Sequence, residues 1–286
     1  MDTIQLKELS DLGFIPGPNE SDEMFLNRVR FVQALGKDPH SLLKGEKMDP
    51  LEWEPTLLKL QEIFAFSPTW MTAYYSNENL SFWQGAVTWL YESTSKIKFP
   101  LIQLKINFKK GRFLFYSRDE VLLHESLHAI RIAFEESKYE EIFAYSLSEK
   151  KWRTFFGPLF RESRHATIFL LTFLVSIISH VFSLFLLCSP LLYLFTFLTF
   201  LPVFYFSFRL SSLIYDQWIL KKALKKIASL FPKNRHPLSV AFRLTDQEIR
   251  AFAKKSLTDL KVYIEQQLTT SLRWKSLYAG SSNIFN

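Results

Sequence analysis

The sequence predicts a mainly α-helical protein with a small β element and a two-helix transmembrane hairpin. The first observation behind this expectation is that residues 166–208 contain no Asp, Glu, Lys or Arg. The second is that apolar residues recur at helical spacing in most of the remaining chain, with an alternating, strand-like pattern near residues 100–116. We therefore expect a helical region at 1–95, a mixed unit at 96–150, the hairpin at 166–208 and a second helical region at 209–286.

The N-terminal region is expected to hold amphipathic helices. Residues 23–35 place apolar side chains at helical spacing. Residues 50–65 and 80–92 are rich in Trp and Phe, and we expect two further helices there.

A strand pair is expected just before the centre of the chain. Residues 103–108 alternate polar and apolar side chains, which is typical of a half-buried strand. Residues 109–112 form a turn signal, and residues 113–116 can return as a second strand. Ser117 and Glu120 then have the spacing of a capping box, which predicts a helix that starts just ahead of Val121.

That predicted helix carries the sequence His124-Glu125-Ser126-Leu127-His128. Residues four apart lie on one face of a helix, so His124 and His128 can offer imidazole nitrogens to one metal ion. Glu125 would lie beside the metal, where its carboxylate could accept a proton from water. Zinc suits such a site because it binds nitrogen and oxygen ligands tetrahedrally and leaves one position open.

This pattern resembles the H-E-x-x-H core of the zincin metallopeptidases. The metzincin extension is absent, because Arg131 stands where its glycine would be and Phe134 replaces its third histidine. Residues 139–145 resemble the E-x-x-A helix of the gluzincins, with Glu141 in the first position and Ala144 at the small residue; Glu140 is the alternative first position. The resemblance covers about residues 100–146.

The resemblance implies a zincin-like catalytic unit that binds Zn²⁺ through His124, His128 and Glu141. Glu125 would act as general base and then as general acid in the hydrolysis of a peptide bond. The pattern leaves the residue that stabilises the oxyanion open; the candidates are Tyr145, Tyr139 and Arg131.

The uncharged run is expected to cross a membrane twice. One membrane helix needs about twenty apolar residues, and the run has about twice that length. Ser189 and Pro190 mark a break between spans at 166–187 and 191–208. A buried hairpin of a soluble protein, the alternative, would carry a polar face, and none is visible.

Basic residues crowd both flanks of this uncharged run: Lys150, Lys151, Arg153, Arg161 and Arg164 before it, and Arg209, Lys221, Lys222, Lys225 and Lys226 after it. The positive-inside rule then places both termini in the cytoplasm, with a bacterial inner membrane as the expected location.

The C-terminal region is expected to be helical. Residues 212–230 continue the second span, and residues 245–278 predict one long amphipathic helix, capped by Thr245 or Asp246. This helix can pack on the catalytic unit or self-associate. The net charge of +7 resides largely beside the hairpin, so we expect contacts with anionic lipids and not with nucleic acid. The lone Cys188 excludes a disulfide within the chain.

The expected function is that of a membrane-anchored zinc metallopeptidase, which hydrolyses peptide or protein substrates at the cytoplasmic face of a membrane. Asp119, Glu120 and Glu135 would keep the motif helix outside the bilayer. Two alternatives stay open: an inactive membrane scaffold with or without a structural zinc ion, and a hairpin protein that tethers membranes.

Overall fold

The structure, a computed structural model, describes residues 1–35, 44–81, 84–92, 97–185, 190–231 and 235–279. It is mainly helical with a small sheet, as the sequence predicts. The helices are α1 (Thr3–Asp11), α2 (Asp22–Leu35), α3 (Pro50–Phe64), α4 (Arg118–Ile130), α5 (Glu140–Ser146), α6 (Lys151–Phe156), α7 (Ser163–Phe185), α8 (Leu191–Thr199), α9 (Leu201–Leu230), α10 (Pro237–Phe242), α11 (Asp246–Lys254), α12 (Leu257–Thr270) and α13 (Leu272–Tyr278). The predicted helices at 23–35 and 50–65 are confirmed as α2 and α3.

Four strands form one sheet in front of α4. They are β1 (Glu46–Lys47), β2 (Ala73–Tyr75), β3 (Ala86–Glu92) and β4 (Lys98–Leu104), in the order β1-β2-β4-β3. β4 runs parallel to β2 and antiparallel to β3. β3 is therefore the last strand, and among the described residues no strand pairs with its other edge.

The predicted helix at 80–92 is wrong, because β3 occupies its second half. Val87, Thr88, Trp89 and Tyr91 are β-branched or aromatic residues, which favour strands, and pairing with β4 along the whole length of β3 decides the outcome. Trp83 lies outside the described residues.

The predicted strand at 103–108 lies too far along the chain. β4 ends at Leu104, and Ile106–Lys110 forms a 3₁₀ turn that buries Phe108 completely. The predicted return strand at 113–116 is instead a tight hairpin of β5 (Arg112–Phe113) and β6 (Tyr116–Ser117). Its turn requires a φ of 52° at Leu114, in the left-handed region that a continuous strand excludes.

The two ends of the chain share one core. The Phe242 ring of α10 packs at a tilt on Phe64 of α3 and edge-on against Phe143 of α5, with centroid distances of 4.8 Å and 5.5 Å. A second cluster joins Leu6 and Leu9 of α1 to α2 and to Leu272 of α13. The apolar helices α7 and α8 are thus inserted into a unit built from the segments before and after them.

The single long helix predicted at 245–278 is wrong, because the chain breaks twice there. Thr245 forms the predicted cap of α11, with a reciprocal bond to Glu248. Lys255 and Ser271 adopt extended backbone conformations, and the Ser256 side chain accepts a hydrogen bond from Asp259 to cap the next helix. These breaks fold α13 back, so that Trp274 is fully buried.

The predicted membrane hairpin corresponds to α7, α8 and the start of α9. Among the described residues, α7 alone is long and apolar enough to cross a membrane, and α8 with α9 reaches that length if the bent pair counts as one span. The pair is bent by 43°, beside Pro202, which lacks an amide hydrogen for the helix. Large apolar side chains of α7 are exposed, among them Leu170 and Phe182. The expected turn at Cys188 and Ser189 lies outside the described residues.

A buried carboxylate ties α9 to the rest of the protein. Asp216 is fully buried and forms ion pairs of 2.8 Å with Arg161, just before α7, and with Lys138, just before α5. Two cations around one buried carboxylate compensate its desolvation. The foot of the apolar hairpin is therefore fixed to the segment that leads into α5.

Candidate metal centre

The H-E-x-x-H residues lie on α4, which is capped at its N-terminus and buried on its core-facing side. The Ser117 side chain accepts a hydrogen bond from the amide of Glu120, at 3.2 Å, which confirms half of the predicted capping box; the Glu120 carboxylate instead accepts hydrogen bonds from Ser148 and Arg153. Leu123, Leu127 and Ile130 are buried on the core side. His124 and His128 lie on the opposite face, where their side chains are 19% and 18% exposed.

The structure brings His124, His128 and Glu141 together. The Nε2 atoms of the two histidines are 3.2 Å apart. The carboxylate oxygens of Glu141 lie 3.3 Å from Nε2 of His128 and 3.7 Å from Nε2 of His124. Ligands about 2.0–2.2 Å from a tetrahedral zinc ion lie about 3.3–3.6 Å from one another. The two distances from Glu141 involve different oxygens, Oε1 to His128 and Oε2 to His124, and one ligand atom from each of the three residues lies within 4.8 Å of the others, so the cluster could hold one metal ion.

Glu140, the alternative ligand, faces a different atom. Its Oε1 lies 2.6 Å from Nδ1 of His128, on the side of the ring away from Glu141. A carboxylate on the second nitrogen of a metal-binding histidine orients the ring and raises its basicity. Glu140 therefore contacts Nδ1 and orients the His128 ring, whereas Glu141 is the carboxylate that faces the Nε2 atoms of both histidines.

Arg131 and the C-terminal helices hold α5 against α4. Arg131 is fully buried and donates hydrogen bonds to the carbonyl oxygens of Phe242 and Leu244. Its guanidinium lies over the Phe134 ring, 4.2 Å from the centroid. Arg131 is thus buried between the end of α4 and the segment that follows α10, and it does not line the cavity beside His124 and Glu125. Asp246 of α11 accepts a hydrogen bond from the amide of Lys138 in the turn between α4 and α5, at 3.3 Å.

Glu125 is held from the sheet. Thr88 of β3 donates a hydrogen bond of 2.6 Å from its hydroxyl to Oε2 of Glu125. The same hydroxyl lies 3.2 Å from the backbone carbonyl oxygen of Glu125. The sequence reasoning missed Thr88 because it expected a helix there; alternation along β3 would have placed Thr88 on the same face as Ala86.

A cavity of about 200 Å³ opens beside these residues. His124, Glu125 and Tyr145 line it, together with Gly85 and Ala86 at the start of β3. The Tyr145 ring packs edge-on against His124, with centroids 4.6 Å apart. Of the three tyrosine and arginine candidates, Tyr145 is the one that lines this cavity, whereas Tyr139 is fully buried.

The charges of the site reinforce one another. Burial and the neighbouring His128 lower the pKa of His124. Burial alone would also lower the pKa of His128, but its hydrogen bonds with Glu140 and Glu141 raise that pKa well above the usual value. Burial raises the pKa of Glu141, yet the contact with His128 outweighs it and the net shift is downward. The two glutamates therefore favour a positive charge on the His128 ring, and a metal ion bound there would displace that proton.

No family model matches the chain, and no curated protein and no solved structure is significantly similar to it.

Proposed function

We propose that this protein is a membrane-anchored zinc metallopeptidase that hydrolyses peptide bonds at the cytoplasmic surface of a membrane. The observation that carries the proposal is the site geometry: His124, His128 and Glu141 each offer a ligand atom within 4.8 Å of one another, with Glu125 beside His124 in a cavity. A pair of histidines with one carboxylate is the ligand set of catalytic zinc sites that keep a fourth position open.

His124, His128 and Glu141 hold the ion in this proposal, and Glu140 orients His128. Bound zinc supplies a Lewis acid that polarises the scissile carbonyl and acidifies a water molecule. Glu125 takes one proton from that water as its oxygen bonds to the carbonyl carbon. When the C–N bond breaks, Glu125 returns the proton to the departing amine nitrogen. Among Tyr139, Tyr145 and Arg131, Tyr145 is the candidate oxyanion donor that lines the cavity.

The edge of β3 that no described strand pairs with supports a peptide as the substrate. β3 borders the cavity through Gly85 and Ala86, and its Thr88 contacts Glu125. An extended peptide can pair with an exposed strand edge through backbone hydrogen bonds. A substrate strand bound there would run alongside Glu125 and the metal ligands.

The shared core supports the membrane arrangement. The segments before α7 and after α9 pack on each other, so they must lie on one side of any membrane that α7 to α9 cross. A chain that crosses the membrane twice, once through α7 and once through α8 with α9, brings both segments to the same side, whereas a single crossing would separate them. The basic flanks favour the cytoplasmic side for both segments.

The test is zinc content and peptide cleavage of the full-length protein purified in detergent without added metal. Wild type should hold one equivalent of zinc and cleave members of a peptide library. Glu125→Gln should keep the zinc and lose about 10²–10⁴-fold in cleavage rate, because the amide cannot accept the proton. Glu149→Gln, at an exposed carboxylate outside the site, is the matched control.

Each other outcome rejects part of the proposal. Zinc-loaded wild type that cleaves no peptide would favour the inactive scaffold with a structural zinc ion. If wild type binds no zinc even after zinc is added, the result would favour the alternative of a hairpin protein that tethers membranes. Full activity of Glu125→Gln would remove Glu125 from the reaction.

A further inference from the structure

Two groups of exposed apolar side chains flank the cavity. Leu114 and Phe115, at the tip of the β5–β6 hairpin, are 68% and 78% exposed. Trp152, Phe155 and Phe156 on α6 are 57%, 37% and 43% exposed. We call these five residues the aromatic rim. Contiguous apolar surface of this kind usually marks an interaction site.

Arg153 joins the two groups into one surface. It is almost fully buried and donates a hydrogen bond to the carbonyl oxygen of Phe115. Its guanidinium lies 4.0 Å from the centroid of the Tyr116 ring and pairs at 2.5 Å with Glu120. Tyr116 and Glu120 line the cavity, so the aromatic rim lies at its border.

The aromatic rim continues into the helices that are apolar enough to span a membrane. Only residues 157–162 separate α6 from α7. Gln217 of α9 donates a hydrogen bond of 3.1 Å to the carbonyl oxygen of Phe155. Arg209 of α9 donates one of 3.0 Å to the carbonyl oxygen of Leu159. α6 is therefore anchored to the foot of both apolar segments.

The metal ligands are close to this foot. Gly157, directly after α6, packs on the Tyr145 ring so tightly that a methyl group there would lie 2.3 Å from a ring carbon. The other side of that ring system contacts His124. One tyrosine ring thus separates the nearest metal ligand from the segment that leads into α7.

The chemistry of the surface matches a lipid interface. Lys150 and Lys151 are exposed next to the aromatic rim. On α9, Trp218 is 50% exposed and the ammonium group of Lys222 lies 3.6 Å from its ring centroid. Aromatic rings with adjacent lysines are typical of the headgroup layer, where the rings enter the interface and the cations meet anionic lipids.

We propose that the aromatic rim inserts into the surface of the membrane that α7 to α9 cross. The cavity beside Glu125 then opens towards the bilayer and takes peptide segments that lie on the bilayer surface or emerge from the bilayer. The inference about substrates rests on the proposed peptidase function. The inference about lipid contact stands on the surface itself. The two parts can therefore be tested separately.

Lipid contact is tested with a fluorescent label in vesicles of phosphatidylcholine and phosphatidylglycerol. A polarity-sensitive thiol dye is placed on Phe115→Cys in a Cys188→Ser background, and spin-labelled lipids serve as quenchers. The dye should shift to the blue and be quenched when the full-length protein is reconstituted. The same dye on Ile4→Cys, an exposed apolar position of α1, should show neither effect. Equal signals at both positions, or no quenching at Phe115, would overturn the proposal.

Substrate preference is tested with one cleavable peptide, offered either free or linked to a membrane-spanning anchor in the same vesicles. Phe115→Ser combined with Trp152→Ser should slow cleavage of the anchored peptide by about tenfold or more, since two interfacial aromatic side chains are lost. Cleavage of the free peptide and the zinc content should stay unchanged, as they should for both peptides in Ile4→Ser. An equal loss on both peptides would refute the substrate inference. No cleavage of either peptide by zinc-loaded wild type would refute the proposed function and leave the quenching result to decide lipid contact.

Discussion

Replacing Glu140 by alanine removes the carboxylate that faces Nδ1 of His128 and leaves all three proposed metal ligands in place. The contact is short, at 2.6 Å, and it joins an acidic side chain to a ring that its neighbours favour in the charged form. Without it the imidazole of His128 loses its fixed orientation and part of its basicity.

The size of the effect follows from this position. Loss of a hydrogen-bond partner behind a metal-binding histidine weakens metal affinity by about 10–100-fold, or about 1.4–2.7 kcal/mol. Glu141→Ala should weaken zinc binding more, because it removes a ligand and leaves two. Glu140→Gln should fall between wild type and Glu140→Ala, since its amide oxygen can still accept the hydrogen bond but carries no charge.

Zinc affinity of the full-length protein in detergent, measured by competition with a chromophoric chelator, distinguishes these variants. Glu149→Ala removes an exposed carboxylate nearby and should bind zinc like wild type. Unchanged affinity of Glu140→Ala would refute the supporting role. A larger loss for Glu140→Ala than for Glu141→Ala would exchange the two roles and reject the orientation of α5.

Three further predictions address the sheet, the C-terminal core and the topology. Thr88→Val keeps the shape of the side chain but removes the hydrogen bond to Glu125, the proposed general base, so kcat should fall about tenfold at unchanged zinc content, with recovery in Thr88→Ser. Glu248→Gln breaks a buried ion pair with Arg273 at 2.9 Å and should lower the free energy of unfolding by about 3–5 kcal/mol in denaturant titrations. Burial raises the pKa of Glu248, but the ion pair with Arg273 outweighs burial, so the pKa lies below the usual 4.5. The contribution of this ion pair to the free energy of unfolding is therefore complete above pH 4.5 and is lost as the pH falls through the folded-state pKa. The stability of Glu248→Gln should accordingly depend less on pH in the acid range than that of wild type. A membrane-impermeant maleimide should label Cys188 in intact cells, whereas Glu149→Cys in a Cys188→Ser background should react only after cell lysis; labelling of Glu149→Cys in intact cells would reverse the topology.

The local parts of the site were predictable from sequence. The cap at Ser117, the helix after it and the shared face of His124 and His128 depend on residues within a few positions of one another. The position of Glu141 near the two histidines was also predictable, because a short connection leaves α5 few ways to pack on α4. The distinction between Glu141 and Glu140 depends on the rotation of α5, whose Phe143 packs on Phe242 of α10, about one hundred residues further along the chain.

Non-local pairing explains what the sequence reasoning missed. Residues 86–92 are apolar enough for a helix or a strand, and only their register with β4 decides between the two. Thr88 was missed as a partner of Glu125 for the same reason. At the C-terminus, the apolar positions Ile249, Phe252, Leu260 and Ile264 are all buried as a helical pattern predicts, but the breaks at Lys255 and Ser271 depend on packing against α9 and α1.

The shared core of the two chain ends has a consequence for the order of synthesis. The ribosome completes His124, His128 and Glu141 before it starts α7, but Phe242, Leu244 and Asp246 emerge only after α9 is finished. Until then Arg131 lacks its carbonyl acceptors, and the turn before α5 lacks its contact with α11. A nascent chain therefore cannot complete the scaffold of its metal site until the apolar hairpin has been made. If the proposed function holds, the placement of the hairpin within the sequence would delay completion of the active site until the apolar helices have been made.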